Sequence, residues 1–155
     1  NIPAYEQIEH AKLFIDSGVD IIIGHHPHVI QPIMEYKNGI ICYSLGNFLF
    51  DMTYRSNVRT GMVIQFNLMK GIRPKYKIKG IYINDDYSIS LCNANNFNKL
   101  YNKYNNKFNN YLLYSREEYI KKYRHQLYIN RLVQRVIMKK DLINNLNNIL
   151  IKNKL

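Results

Sequence analysis

Tryptophan is absent from this 155-residue chain, and cysteine occurs only as Cys42 and Cys92. Two thiols far apart, without metal-type spacing, exclude a disulfide framework and read as small buried hydrophobes. No apolar run approaches the roughly 18 residues of a bilayer-spanning helix. There is no signal-peptide pattern and no internal repeat. Acidic residues are scarce in one region only. Residues 98–155 hold three Asp/Glu against thirteen Lys/Arg, whereas residues 1–97 hold eight against nine. The net charge of +11 therefore sits almost wholly in the tail. Asn, Lys, Ile and Tyr are abundant throughout, as in AT-rich genomes, a bias that by itself can produce much of that basic tail. A hydrophobic fraction of 46% places the chain among globular proteins rather than disordered ones. The chain starts at Asn1 instead of Met, and its first residues already read as the inside of a helix, so upstream sequence is expected.

Residues 3–17 predict a helix, with Pro3 in the first turn, Ile8, Ala11 and Ile15 on one face, Leu13 and Phe14 widening it, and Gly18 as the stop. The run Val19 to Gly24 predicts a short strand buried on both faces, parallel or central in its sheet. Ile33–Tyr36 and Ile40–Tyr43 predict a hairpin across Lys37-Asn38-Gly39. Alternation over Met62–Leu68, Lys75–Ile83 and Tyr87–Leu91 continues an antiparallel meander, with turns at Lys70-Gly71 and Asn84-Asp85-Asp86. Residues 1–92 thus form one α/β domain piece. Residues 93–114, rich in Asn and Lys, read as a linker or poorly ordered loop. Residues 115–155 read as a basic helical tail. Ser115 and Glu118 fit a capping box, Ile120, Tyr123 and Leu127 open an apolar stripe, and a second helix starts near Asp141.

The feature that carries chemistry is Gly24-His25-His26-Pro27-His28, three of the five histidines within four residues. It follows a buried strand, and open α/β sheets bind ligands at the carboxyl ends of strands. Imidazole is a common metal ligand, and two histidines one residue apart in a turn can aim at one point. Gly24 permits close backbone approach and Pro27 stiffens the turn. His10 and His125 lie inside helical patterns and read as ordinary helix residues. A second feature is Ser44-Leu45-Gly46-Asn47-Phe48-Leu49-Phe50-Asp51. Asn47 can position a ligand through its amide or close a turn on its own backbone. Asp51 is a partner for a ligating histidine or a loop acid.

With Glu6-Gln7, Ile15-Asp16-Ser17-Gly18-Val19-Asp20, Ile23 to Pro32 and Tyr43 to Asp51, the sequence resembles the CapA/PgsA family. These are bacterial capsule-synthesis proteins linked to poly-γ-glutamate. The resemblance is dense over about residues 4–52, thins to a strand pattern through about residue 91, and ends before the tail. That family is similar in fold to the calcineurin-like metallophosphoesterases, α/β sandwiches of two sheets around a dinuclear metal site. Their late Gly-x-His-x-His motif lies over Gly24, His26 and His28. The resemblance therefore implies His26 and His28 as metal ligands, and His25, as a third ligand or a substrate contact, with Asn47 as the catalytic candidates. The rest of that ligand set (an early Asp-x-His, a bridging Asp, an Asn-His pair and a middle His) would precede residue 1. So would the His-Trp-Gly segment of CapA-like proteins. At most three ligands remain, and a two-metal site draws on several strand ends. The chain is expected to be a C-terminal fragment that does not complete the site alone.

The resemblance implies divalent metal ions, two in the complete parent, and a metal-dependent hydrolase of phosphoesterase type. Its substrate would be an anionic polymer such as poly-γ-glutamate, or a phosphate-bearing molecule. The alternative is a non-enzymatic assembly factor that keeps the fold as a scaffold for polymer or for membrane-associated capsule machinery at the cell envelope. Nucleic-acid binding by the Lys-, Arg- and Tyr-bearing tail is a third reading. It is set aside, since Leu, Ile and Val at helical spacing there require a packed face.

Overall fold

Turn chemistry and alternation organise the chain. The computed structural model describes residues 2–51 and 56–132. It divides into two compact units, Asn1–Tyr114 and Ser115–Leu155. Helix α1 (Tyr5–Asp16) buries Ile8, Ala11 and Ile15. Gln7 Oε1 accepts from the Ala4 N–H at 2.8 Å at its start. At its end the Gly18 N–H donates to Ile15 O and the Val19 N–H to Phe14 O. This pair of bonds is a Schellman motif, and it needs Gly18 at its φ of +101°. Leu13 and Phe14 do not widen the buried face as expected. They are exposed, because a helix of this length packs only one stripe against the sheet.

Strands β1 (Ile21–Ile23), β2 (Ile33–Tyr36) and β3 (Gly39–Cys42) form a sheet in the order β1-β3-β2. β1 runs parallel to β3, and β2 pairs antiparallel with it from Ile33↔Cys42 to Tyr36↔Gly39. The tight turn at Lys37-Asn38 has Lys37 at φ +49°. The parallel pairing of Val19–Gly24 was expected, but its burial on both faces is corrected. Among the described residues β1 is an edge, with Ile23 51% exposed. β3 takes the centre, and all four of its residues are buried. Side-chain composition does not distinguish the two strands, since both are short, apolar and rich in isoleucine. The order of connection does, because the hairpin places β3 between its two partners.

The second sheet, preceded by the short helix α2 (Ser56–Arg59), is the predicted meander: β4 (Thr60–Met69), β5 (Ile72–Ile83) and β6 (Ile89–Leu91), all antiparallel. The Met62 N–H donates to Leu45 O at 2.8 Å and joins it to the end of the first sheet. Ile30, Ile33, Ile40, Cys42, Met62, Phe97 and Tyr101 make one core, with Ile64, Phe66, Tyr76 and Ile78 against it. Two of these core residues come from the stretch read as a linker. Residues 93–114 are instead largely helix α3 (Ala94–Leu112), which Asn93 caps by accepting from the N–H groups of Asn95 and Asn96. Asparagine is a poor helix former, but Phe97, Tyr101 and Phe108 bury one face and override that preference. Phe97 lies on Gly80, where a Cβ would overlap its ring.

In the second unit, residues 116–132 are helical. Ser115 and Glu118 form the reciprocal capping box that their spacing predicts. The helix expected from Asp141 lies outside the described residues. Among the described residues no helix is long and apolar enough to cross a membrane. The architecture is the mixed α/β arrangement of helix, strand and antiparallel meander expected for part of a metallophosphoesterase-like sandwich.

Candidate functional site

The site begins where β1 stops. The Gly24 N–H donates to Cys42 O at 2.7 Å, and a Cβ at position 24 would overlap the carbonyl oxygen of Tyr43. Only glycine lets the chain leave the sheet this close to the end of β3. Six residues later the chain is tied back to the same segment. Ile30 bridges to Leu45, and the Gln31 N–H donates to Ser44 O at 3.0 Å. Both ends of the histidine loop are thus fixed on residues 42–45.

Between these anchors the backbone takes an unusual path. His26 has φ +92° and His28 φ +57°, a region L-residues seldom enter. His25 and His26 are exposed and His28 is half-buried. The ring centres of His26 and His28 are 6.0 Å apart. The Phe50 ring centre stands 4.9 Å from that of His28.

Beyond Ser44, Gly46 turns the chain at φ +74°, and Asn47 enters under the loop with 7% exposure. Gly61 leaves room for it, since a Cβ there would overlap the Asn47 carbonyl oxygen. The Asn47 amide then makes two bonds. Its Nδ2 donates to Val58 O at 2.9 Å, and its Oδ1 lies 2.9 Å from His28 Nδ1. The first bond settles the second. Reversing the amide would set two acceptor oxygens against each other at Val58, so Oδ1 faces the imidazole. An amide oxygen only accepts, so His28 carries its proton on Nδ1. In the neutral ring Nε2 is then left with a bare lone pair. This is how ligating imidazoles are held, with the far nitrogen bonded to a fixed acceptor.

The expected residues separate accordingly. His26 and His28 are neighbours, and His25 shares their loop, exposed to solvent. For Asn47 the sequence left ligand positioning and turn closure open. The structure has it orient His28. The partner seen on His28 is Asn47, and Asp51 is exposed. His10 belongs to α1 and His125 to the helix over 116–132. Phe50, Gly61 and the Val58 carbonyl were missed. Phe50 alone had a signal, its place three residues after Asn47.

The two imidazoles suit a metal in donor chemistry. Two ligands at metal–nitrogen distances of about 2.1 Å hold their ring centres roughly 5 Å apart, against 6.0 Å between His26 and His28 here. The set is small, however. Among the described residues no three His, Cys, Asp or Glu come together as a metal-holding group.

Residues 1–52 match the family profile described as bacterial capsule synthesis protein PGA_cap. The chain is 39% identical over 85 residues to the PGA biosynthesis protein CapA of Bacillus subtilis (strain 168), a match covering 55% of this chain and 22% of that protein. It is 47% identical over 68 residues to the capsule biosynthesis protein CapA of Bacillus anthracis, covering 44% of this chain and 16% of that protein. The chain thus spans about a fifth of the length of these relatives. No solved structure matches it significantly. Residues 1–52, which contain the histidine loop and Asn47, are thus similar to the bacterial capsule synthesis proteins, CapA among them.

Proposed function

We propose that the chain serves capsule-polymer biosynthesis and that His26 and His28 are a ligand pair for a divalent metal in a metallophosphoesterase-like site. The observation that carries this is the Asn47 amide, held by Val58 O and fixing His28 with Nε2 bare. A divalent ion bound there would supply Lewis acidity toward a phosphoryl or carbonyl oxygen. The chain's own contribution is orientation. Asn47 sets the His28 tautomer, Gly24 seats the loop on β3, and Phe50 shields one side of the ring. His25, exposed in the same loop, is placed to contact a bound anion.

The test is a Zn²⁺ titration of the chain followed by ¹⁵N-detected imidazole resonances. The expected result is a saturable shift at Nε2 of His26 and His28 that disappears in His28→Ala. Equal perturbation of His10 and His125 would mean unspecific binding and refute the assignment.

The size of the donor set favours a second reading, in which the fold is kept as a scaffold for anionic polymer or a membrane-associated capsule partner. That reading predicts polymer binding that persists in the presence of a chelator.

A further inference from the structure

The hairpin of β4 and β5 changes character along its length. Near its middle, Ile64, Phe66, Tyr76 and Ile78 pack against the core. Past Phe66 and Tyr76 the core ends and the hairpin runs on, until Met69 pairs with Ile72 across the Lys70-Gly71 turn. Apolar side chains continue into this last stretch, although among the described residues little covers them. Leu68 is 64% exposed, Met69 51% and Ile72 52%. A Cβ added at Gly71 would meet open space. Folding requires no apolar group at such a tip, and a cluster of them on a surface points to an interaction.

Charge on the same hairpin has one sign. From Thr60 to Ile83 there are five Lys/Arg and no Asp/Glu. Lys70 stands in the turn, and Lys75, Lys77 and Lys79 are the outward, exposed residues of β5. Two acids approach this end from other elements. Glu35 is paired with Arg73, and Asp20 lines the cleft that Leu68 to Pro74 also line. The four lysines outnumber it. A hydrophilic polyanion would account for the lysines and leave the apolar tip in water. Three side chains offer a few hundred Å², well short of the roughly 800 Å² per partner of a stable protein interface. A bilayer with anionic headgroups accounts for both features, because its hydrocarbon begins within about 10 Å of the charged surface.

We propose that the tip of the β4–β5 hairpin is a peripheral docking point for an anionic lipid bilayer, which it enters end-on. Leu68, Met69 and Ile72 reach the acyl boundary, while Lys70 lays its stem among them and lifts its ammonium to the phosphates. Strand rise sets the remaining cations. Lys75 stands about 10 Å behind Ile72, Lys77 about 17 Å and Lys79 about 24 Å. Charges are screened over about 8 Å at physiological salt, so Lys75 acts on the headgroups and Lys79 does not. End-on docking therefore grades the lysines, whereas a polyanion lying along β5 would use them equally. The proposal does not depend on the metal reading.

The experiment is sedimentation of the full chain with vesicles of equal parts phosphatidylglycerol and phosphatidylcholine at physiological salt. Circular dichroism confirms that each variant keeps its fold. The triple variant Leu68→Ser, Met69→Ser, Ile72→Ser preserves the charge and is expected to bind at least about ten-fold more weakly. Lys75→Gln should weaken binding about five-fold, and Lys79→Gln by less than about two-fold. The chain has no tryptophan, so Ile72→Trp is a probe without background. Its emission should shift to the blue on addition of the vesicles, while that of Val63→Trp, opposite Lys79, should not. Wild-type affinity in the serine variant would assign vesicle binding to the basic tail and overturn the proposal. An unshifted Ile72→Trp, equal losses from Lys75→Gln and Lys79→Gln, or a wild-type dimer that the serine variant dissolves would overturn it as well.

Discussion

Replacement of Asn47 by alanine tests the arrangement on which the site depends. The side chain is buried, donates to Val58 O and accepts from His28 Nδ1. Its removal orphans a carbonyl on Val58, itself 2% exposed, at a cost of about 1–3 kcal/mol. Losing the imidazole bond adds about 1 kcal/mol, so the expected destabilisation is about 3 kcal/mol. With a urea m-value of roughly 2 kcal/mol/M, the midpoint drops by about 1.5 M. Far-ultraviolet circular dichroism follows the transition, the chain having no tryptophan. His28→Ala should cost about 1 kcal/mol and the double variant less than the sum, with a coupling of about 1 kcal/mol. In the wild type the His28 ¹⁵N shifts should report protonated Nδ1 and bare Nε2, and in Asn47→Ala that preference should relax. Additivity within about 0.3 kcal/mol, or a wild-type ring protonated at Nε2, would refute the reasoning.

Two further outcomes follow from the same segment. Gly24→Ala sets a Cβ on a backbone carbonyl oxygen that cannot move without breaking the end of β3. A thermal melt should show a loss of about 2–3 kcal/mol, and a melt unchanged from wild type would mean the loop does not sit this close to Tyr43. Burial pushes the Cys42 thiol from 9.0 up to about 12. The folded state therefore holds the proton more tightly, and this contribution to stability, complete below pH 9, is lost as pH rises toward 12. At neutral pH a thiol reagent should modify Cys92 in the native chain and reach Cys42 only at the unfolding rate, so comparable native labelling of both would contradict the burial of β3.

Much of the fold was legible because the signals were local. Lys37-Asn38-Gly39 marked the first hairpin, alternation marked β4 and β5, and Gly18 marked the end of α1. What escaped depended on distance or on competition between preferences. Position in the sheet is set by topology, so three isoleucines could not announce that β1 lies at an edge and β3 at the centre. Helix α3 was hidden under its asparagines, although Phe97, Tyr101, Tyr104 and Phe108 recur at spacings of four, three and four, which a window weighted toward periodicity would have caught. The histidine loop was conspicuous, but the contact that gives it chemical direction joins residues 28 and 47. No pattern within either segment foretells that an amide pinned from a third segment will choose the tautomer.

The conformation at His26 has a consequence for how such a loop persists. At φ +92° a side-chain-bearing residue sits above its preferred energy by an amount of order 1–3 kcal/mol, and glycine would occupy the position at little cost. Stability alone thus pulls position 26 toward glycine, and a sequence drifting under selection for folding would be expected to move there. If His26 ligates a metal as proposed, the strain at this position is a cost of the site, and His26→Gly should raise stability while it abolishes metal binding.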